Sequence, residues 1–172
     1  MEVKIKLNGG IMPKKAHPSD AAFDLYVPED VVLKTGRQVI DLGFSLEIPE
    51  GYAATIQPRS GFSCRGIAGD LYLDRECFSY DHADADVTRG LVDCNYRGNV
   101  GVIINTRETW DENQYFVISK GTRIAQMQIV EVPQVDLVEA EELSETDRGE
   151  GGFGHTGYKS VIESVKEYVK HV

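Results

Sequence analysis

A segment near the carboxyl end of the chain, residues 148–157 (RGEGGFGHTG), combines a cation, an aromatic ring and five glycines. So many glycines disfavour helix and strand, but they let backbone N–H groups approach a phosphate closely. Arg148 adds a planar, forked cation that suits phosphate oxygens, and the ring of Phe153 can cover a flat base. The segment therefore predicts a lid over a nucleotide, with a flexible linker as the alternative interpretation.

Residues 58–61 (PRSG) form a second segment suited to an oxygen-rich anion. They follow a predicted strand and offer the Arg59 cation, the Ser60 hydroxyl and an unobstructed amide at Gly61. The alternative is a plain turn with no ligand.

Residues 121–127 (GTRIAQM) run from a turn into a predicted strand. Arg123 and Gln126 fall at odd and even positions, so we expect their side chains on opposite faces of that strand. One of them can then face a ligand while the other pairs within an interface, and two surface side chains are the alternative.

Two aspartates lie in surroundings that suit catalysis. In residues 90–98 (GLVDCNYRG), which predict a hairpin, Asp93 can hold a water as general base or can simply bind turn amides. Tyr96 in the same segment is either a core residue or a flat wall against a sugar. Asp24 stands among apolar neighbours, where it can reach a metal-bound water or cap a turn.

The composition narrows the function classes. The chain has 172 residues, one domain's worth, and a formal net charge of −10, which argues against nucleic-acid and anionic-membrane partners but leaves room for a small anion. No stretch has the length of a membrane-spanning helix, and the first residues lack an apolar signal region. Three cysteines in a domain of this size indicate a reducing cytoplasm, which would be the host cytoplasm for a viral protein.

The sequence predicts short strands separated by turns, with no long helix between them, and these strands must position the residues named above. We therefore predict an all-β sandwich or barrel-like roll. The predicted strands are 3–7, 31–33, 38–42, 44–48, 52–56, 101–105, 115–118 and 124–132. Residues 69–89 break this pattern and are expected to be acidic and irregular. Residues 158–172 have an apolar stripe at helical spacing and predict a C-terminal helix.

In their order along the chain, five segments resemble the motifs of the trimeric dUTPases, the dUTP pyrophosphatases. They are residues 21–25, 58–61, 90–98, 121–127 and 148–157. The likeness spans roughly residues 1–157, and it implies a β-rich domain at 1–147, a mobile nucleotide-covering arm at 148–157 and an additional helix at 158–172.

The resemblance implies a jelly-roll-like homotrimer with its active sites between subunits. Such enzymes hydrolyse dUTP to dUMP and pyrophosphate with Mg²⁺ on the triphosphate, which keeps uracil out of DNA and supplies dUMP for dTMP synthesis. By this likeness Asp93 orients the attacking water, Tyr96 packs on the deoxyribose and excludes a 2′-hydroxyl, and the backbone around Gly90 reads uracil.

The same resemblance assigns the remaining positions to the phosphates and to closure of the site. Asp24 is the candidate water-mediated contact to the metal. The predicted phosphate-lining residues are Arg59, Ser60, Gly61 and Gln126. The predicted contacts from the arm are Arg148 at the γ-phosphate and Phe153 with Gly154 over the uracil.

The chain departs from the family pattern in three single residues and one long segment. Ala22 stands where glycine is usual, Asn95 where a second aspartate is frequent, and His155 where serine is usual. Residues 69–89 are longer than the usual connection, and we expect either a solvated loop or a gate, metal-responsive arm or partner-binding surface.

The sequence gives little support for a zinc site or a calcium loop, the two metal sites that the resemblance does not imply. Cys64, Cys77, His82 and Cys94 match no common zinc spacing, and the acidic residues near Asp84 do not fit a calcium loop.

Two other functions remain open. A dCTP deaminase shares the fold, and a regulatory protein would keep the nucleotide site as a dUTP sensor and use residues 69–89 to bind a protein partner.

Overall fold

The structure, a computed structural model, describes residues 1–74 and 76–151. The predictions for Phe153, Gly154, His155 and the helix at 158–172 lie outside these residues. The chain divides into two units, Met1–Gln134 and Val135–Val172. In the part of the chain that is described, no helix is long and apolar enough to cross a membrane.

The first unit is built from short antiparallel strands. Within the described residues there are thirteen strands and one helix, α1 (Ser60–Arg65). The strands are β1 (Lys4–Leu7), β2 (Phe23–Tyr26), β3 (Val31–Leu33), β4 (Gly36–Asp41), β5 (Phe44–Glu47), β6 (Tyr52–Gln57), β7 (Ile67–Leu73), β8 (Glu76–Ala83), β9 (Ala85–Thr88), β10 (Gly90–Val92), β11 (Gly101–Thr106), β12 (Gln114–Ile118) and β13 (Arg123–Glu131). The predicted all-β class is confirmed, and each of the eight strands predicted from the sequence is present within about two residues of its expected bounds.

The strands form four sheets, with the orders β1-β5, β10-β6-β13-β2, β4-β11-β9 and β3-β12-β7-β8. Their inner faces enclose one apolar core, whose largest fully buried side chain is Phe44. This arrangement is the jelly-roll-like fold that the sequence predicted. The sheet β10-β6-β13-β2 matters most for function, because the segments that carry the candidate site residues begin or end on its strands.

The acidic composition of residues 69–89 predicted an irregular loop. In the structure, most of these residues lie in paired strands. Strand β7 pairs with β8, and β9 pairs with β11. Ala83, Ala85 and Val87 are buried and alternate with the exposed Asp84 and Asp86, which is the period of a half-buried strand. The number of charges obscured this alternation, so the prediction was wrong.

The second unit is described only as far as Gly151. Between residues 135 and 151 it has no helix or strand. Several apolar side chains in this stretch are exposed, and Leu137 is 97% exposed. Exposed apolar residues in such a run are typical of a segment that another surface covers.

Candidate active site

A cavity of about 350 Å³ lies where β2, β6 and β13 run side by side. We call it the Asp24 pocket. It is lined by Ala16, Asp20, Ala21, Ala22, Asp24, Gln57, Arg59, Ser60, Arg123 and Gln126. Three separate sequence segments that predicted an anion or metal site thus meet in one cavity, namely residues 21–25, 58–61 and 121–127.

Asp24 holds two arginines at the pocket. Its Oδ1 accepts a hydrogen bond from Arg59 Nε at 2.7 Å, and its Oδ2 accepts one from Arg123 Nη1 at 3.2 Å. The Asp24 side chain is only 13% exposed, whereas that of Arg123 is 49% exposed. A carboxylate that is this buried requires such partners, since an unpaired buried charge is costly.

Arg123 reaches the pocket because β13 contains a bulge. The pairing with β2 shifts between Arg123, opposite Tyr26, and Ala125, opposite Leu25. Ile124 and Ala125 are both fully buried, which a regular strand with alternating faces does not allow. The extra residue puts Arg123 on the same side as Gln126, so the expectation of opposite faces was wrong.

The segment 58–61 turns from β6 into α1. Arg59 is still extended, with φ −85° and ψ 148°, and it directly precedes the helix. Gln126 fixes this turn, because its Nε2 donates to the Pro58 carbonyl at 3.0 Å. Ser60 lines the pocket, and Gly61 follows it in the first turn of α1, where backbone N–H groups have no acceptor within the helix.

Asp93 and Tyr96 lie in the exposed loop that follows β10. The Tyr96 N–H donates to the Asp93 carbonyl at 3.1 Å, which closes a turn, and the Tyr96 hydroxyl donates to the Asn99 carbonyl at 3.1 Å. The ring crosses Gly98 so closely that a Cβ there would lie 2.6 Å from Tyr96 Cζ. The loop therefore presents an accessible carboxylate beside an aromatic ring, which is 47% exposed.

Within one chain Asp93 does not meet the Asp24 pocket. Strand β10 pairs antiparallel with β6, and Val92 lies opposite Ala54, so Asp93 falls at the Tyr52 end of β6. Arg59 follows the other end, beyond Gln57. Six residues of extended chain separate the two positions, which corresponds to about 20 Å at the rise of a strand.

The remaining predicted residues have simpler surroundings. Gly90 lies in β10 opposite Ile56, and a Cβ added at Gly90 would lie at an ordinary contact distance of 3.5 Å from Ile56 Cβ. Arg148 belongs to the second unit, where its Nε donates to the Gly151 carbonyl at 2.7 Å. Phe153 and Gly154 lie outside the described residues.

The side chains that the structure describes do not form a metal-binding set. Among residues 1–74 and 76–151, no group of three or more His, Cys, Asp or Glu side chains converges in a way that could hold an ion. Both oxygens of Asp24 already accept hydrogen bonds from guanidinium groups. A water-mediated contact from Asp24 to a metal ion therefore stays a prediction.

Similarity to known proteins was found at three levels. A model of the dUTPase family matches residues 8–72 and 79–157 and leaves out only the tip of the β7–β8 hairpin between them. The deoxyuridine 5′-triphosphate nucleotidohydrolase of Clostridium tetani is 36% identical over 159 residues, which is 91% of this chain and 96% of that protein. The corresponding protein of Syntrophotalea carbinolica is 38% identical over 161 residues, which is 92% of this chain and 97% of that protein.

The fold is similar to a solved phage enzyme. The dUTPase of Staphylococcus bacteriophage 80alpha, in complex with dUPNHPP, matches with a TM-score of 0.74 and 27% identity over 91% of this chain and 99% of that one. The family match covers most of the chain and includes all the segments that form the Asp24 pocket and the Asp93 loop. The chain belongs to the dUTPase family.

Proposed function

We propose that this chain is a dUTP diphosphatase that converts dUTP to dUMP and pyrophosphate. The observation that carries the proposal is the Asp24 pocket, which offers two arginines to an anion in a protein with a net charge of −10. A local pair of cations in an acidic protein is suited to a small phosphate-bearing ligand. The relatives that are more than a third identical over nine-tenths of the chain carry the name of this activity.

The chemistry assigned to the site is in-line hydrolysis. Asp93 accepts a proton from a water, whose oxygen forms a bond to the α-phosphorus while the bond from that phosphorus to the β-bridging oxygen breaks. Pyrophosphate leaves, and Arg59 and Gln126 with Ser60 and Gly61 hold its oxygens. Phosphoryl transfer of this kind needs positioning and charge neutralisation more than covalent help.

Mg²⁺ belongs to the substrate in this proposal. The described residues supply no donor set for a resident ion, so the triphosphate oxygens are its main ligands. The magnesium complex also reduces the negative charge that has to approach an acidic protein. The substrate is therefore Mg·dUTP.

The active site is assembled between copies of the chain. Because Asp93 lies at the Tyr52 end of β6 and Arg59 lies beyond its Gln57 end, one chain cannot place both at one triphosphate. A second copy supplies the Asp93 loop to the Asp24 pocket, and closed symmetry makes a homotrimer with three such sites. An apolar groove of about 390 Å³, lined among others by Val3, Phe23 and Ile129, offers a further surface for the neighbouring copy.

Nucleoside recognition is assigned to the loop and to the arm. The Tyr96 ring, held across Gly98, packs against the deoxyribose and leaves no space for a 2′-hydroxyl. The backbone around Gly90 reads the uracil edge. Arg148 reaches the γ-phosphate, and Phe153 with Gly154 covers the base, which makes residues 148–157 the closing arm.

The activity is tested by incubating the protein with Mg²⁺ and dUTP, dCTP, dTTP or UTP and measuring pyrophosphate. Release from dUTP alone supports the proposal. Release of ammonia from dCTP would identify the protein as a deaminase instead, and an absence of turnover with any nucleotide would contradict an enzymatic function.

The three free cysteines are consistent with the reducing cytoplasm in which we expect the enzyme to act.

A second candidate function, dUTP-dependent regulation of a protein partner, is favoured by the β7–β8 hairpin. Tyr72 of this hairpin stacks on Tyr115 of the neighbouring strand β12, with ring centroids 4.9 Å apart, and Tyr80 of the hairpin is 69% exposed. Partial burial, with Cys77 and Asp70 nearby, raises the pKa of Tyr72 above its ordinary value of 10. Phage dUTPases, of which one is similar to this chain, control transfer of virulence genes by a G protein-like mechanism.

The proposed ligand of this hairpin is a basic segment of a partner protein. The two strands of the hairpin and their connection, residues 67–83, contain four acidic residues and one arginine, a net charge of −3, so a basic partner complements them. In the described part of the chain β8 is an edge strand, which lets an extended segment pair with it. Aromatic side chains beside such an edge supply the apolar contacts.

The partner is tested with two variants that leave the Asp24 pocket intact, Tyr80→Lys and replacement of residues 73–78 by a two-residue turn. A protein captured from a host lysate is identified, purified and titrated against wild type and both variants, with and without dUTP. Lost binding in the variants, with dUTP hydrolysis retained, supports this function. Equal binding to all three proteins, unaffected by dUTP, contradicts it.

A further inference from the structure

We propose that Asn99 is a positioning residue that fixes the place of the Tyr96 ring. Its side chain joins the Asp93 loop, residues 93–99, to Asp41 and Asn8 on two other parts of the fold. This inference rests on the proposed function, because it concerns how that enzyme distinguishes deoxyribose from ribose. Asn99 acts through the ring and makes no contact with the nucleotide itself.

The outer end of the Tyr96 ring is held by the backbone of Asn99. The Tyr96 hydroxyl donates to the Asn99 carbonyl at 3.1 Å, and the ring passes over Gly98 on the way. Packing alone does not fix this ring, because Tyr96 is 47% exposed. The place of the Asn99 peptide therefore sets the place of the phenol.

The Asn99 side chain is in turn held from two sides. Its Oδ1 accepts a hydrogen bond from Asn8 Nδ2 at 2.8 Å, and its Nδ2 donates to Asp41 Oδ2 at 3.0 Å. A carboxylate only accepts hydrogen bonds, so the amide can face Asp41 only with its NH₂ group, which fixes its orientation. Asp41 is itself fixed, because its Oδ1 accepts the Gly43 N–H at 2.7 Å.

Strand register brings these side chains together. Gly101, the first residue of β11, pairs with Asp41, the last residue of β4, and Asn99 comes just before β11. Asn8 directly follows β1, whose end pairs with the start of β5 after the turn that Asp41 begins. The anchor therefore joins the ends of three strands that belong to the rigid part of the fold.

The other hydrogen bonds of the Asp93 loop are internal. Arg97 Nη1 donates to the carbonyls of Cys94 and Tyr96 at 2.6 and 2.9 Å, and the Tyr96 N–H donates to the Asp93 carbonyl. Within residues 1–74 and 76–151, the hydrogen bonds that connect this loop to other elements are those of the Asn99 side chain. The internal bonds give the loop its shape, whereas Asn99 gives it its place.

A purely structural role for Asn99 predicts a different result. If the anchor only held strand ends together, its loss would lower stability and leave the preference for dUTP over UTP unchanged. A displaced Tyr96 ring no longer excludes the 2′-hydroxyl, so positioning predicts that this preference falls.

An exchange of the two side-chain types separates a specific anchor from a general one. Asn99→Asp alone places a second carboxylate beside Asp41, and the two groups repel each other. In Asp41→Asn/Asn99→Asp every bond of the anchor can form again. The new carboxylate accepts from Asn8 and from the new amide, and the oxygen of that amide accepts the Gly43 N–H.

The experiment measures kcat and KM of the full chain for dUTP and UTP, with Mg²⁺, in wild type, Asn99→Ala, Asn99→Asp and the exchange variant. Ser119→Ala is the matched control, because the Ser119 hydroxyl donates to the Asp70 carboxylate at 3.1 Å, away from the Asp93 loop. Thermal unfolding of each variant checks that the fold is retained. Asn8→Ala is the milder variant, since it removes one bond of the anchor at an exposed residue.

We expect Asn99→Ala and Asn99→Asp to lower the dUTP/UTP ratio of kcat/KM at least about fivefold, with KM for dUTP rising more than kcat falls. The exchange variant stays within about twofold of wild type, and Asn8→Ala lies between wild type and Asn99→Ala. Ser119→Ala loses stability and keeps the wild-type ratio.

Combining Asn99→Ala with Tyr96→Phe tests whether Asn99 acts through the ring. Both changes release the same phenol, so the double variant should be little less selective than Asn99→Ala alone. Additive losses of selectivity would show that Asn99 acts by another route.

An unchanged dUTP/UTP ratio in Asn99→Ala, or an exchange variant as impaired as Asn99→Asp, would overturn the proposal. Wild-type protein that hydrolyses dUTP and UTP equally would overturn it together with the sugar contact assigned to Tyr96. Wild-type protein that hydrolyses no dUTP would contradict the proposed function itself, which separates the failures.

Discussion

Asp93 and Arg59 lie beyond opposite ends of strand β6. The pair Val92–Ala54 fixes the register of β10 on β6, and this register keeps the Asp93 carboxylate away from the Asp24 pocket of its own chain. If Asp93 is the base and Arg59 binds the same triphosphate, as we propose, the two residues come from two different chains. The proposed mechanism therefore requires an assembly of at least two copies of the chain.

This requirement predicts complementation between inactive variants. Asp93→Asn and Arg59→Gln are each expected to be inactive alone, whereas trimers refolded from an equal mixture regain activity at about one site in four, because those sites combine intact residues from different chains. Pyrophosphate release by the mixture measures this. A mixture that is as inactive as its components would show that each site is built within one chain.

The close approach of Tyr96 to Gly98 predicts a change in sugar selectivity. In Gly98→Ala the new Cβ would lie 2.6 Å from Tyr96 Cζ, so the ring must move. We expect KM for dUTP to rise and UTP to become a better substrate relative to dUTP. Tyr96→Phe is the companion variant, because it keeps the ring and loses only the hydrogen bond to Asn99. Unchanged dUTP/UTP selectivity in Gly98→Ala would exclude Tyr96 from sugar recognition.

The packing of β7 against β12 predicts a loss of stability in Gly69→Ala. A Cβ at residue 69 would lie 2.5 Å from the Val117 carbonyl oxygen and also overlap the Phe116 ring. Overpacking of this kind typically costs about 1–3 kcal/mol, which urea unfolding resolves. Gly61→Ala is the control: its nearest atom, in the Arg65 side chain, is 3.8 Å away. Equal stabilities for the two variants would contradict the tight contact at Gly69.

The Lys4–Glu47 ion pair predicts a pH-dependent contribution to stability. Lys4 Nζ donates to Glu47 at 2.7 Å, and this bond lowers the pKa of Glu47 from its ordinary value of 4.5. A lowered carboxyl pKa stabilises the fold above the ordinary value, and the contribution is lost as the pH falls through the folded pKa. Lys4→Met should therefore be less stable than wild type at pH 7, by a small margin for an exposed pair.

Unfolding curves across the acid range check this sign. The difference between wild type and Lys4→Met should disappear below the folded pKa of Glu47. A difference that persists unchanged at pH 2 would show that Lys4 stabilises β1 through packing of its stem and not through its charge.

Runs of β-branched and aromatic residues bounded by turn residues were sufficient to predict most strands of the core. They did not reveal the strands within residues 69–89, where the exposed Asp84 and Asp86 made a segment with the buried Ala85 and Val87 look like an acidic loop. Charge counts carry less information than periodicity when a strand has one solvated face.

The site was predictable in its residue types but not in its geometry. Asp24, Arg59 and Gln126 were identified from their segments, and the structure brings them into one pocket. Arg123 was left undecided, because a bulge depends on the pairing of β13 with β2 and has no signature in the sequence GTRIAQM. The separation of Asp93 from this pocket likewise follows from register, which a single sequence does not specify.

The central claim is that Asp93 activates water against dUTP held by the Asp24 pocket. The most direct test compares wild type with Asp93→Asn in pyrophosphate release from Mg·dUTP, together with dUpNHpp affinity for both proteins. We predict rapid turnover by wild type, a loss of at least about a hundredfold in kcat for the variant, and nearly unchanged affinity. Turnover by Asp93→Asn at the wild-type rate would contradict it.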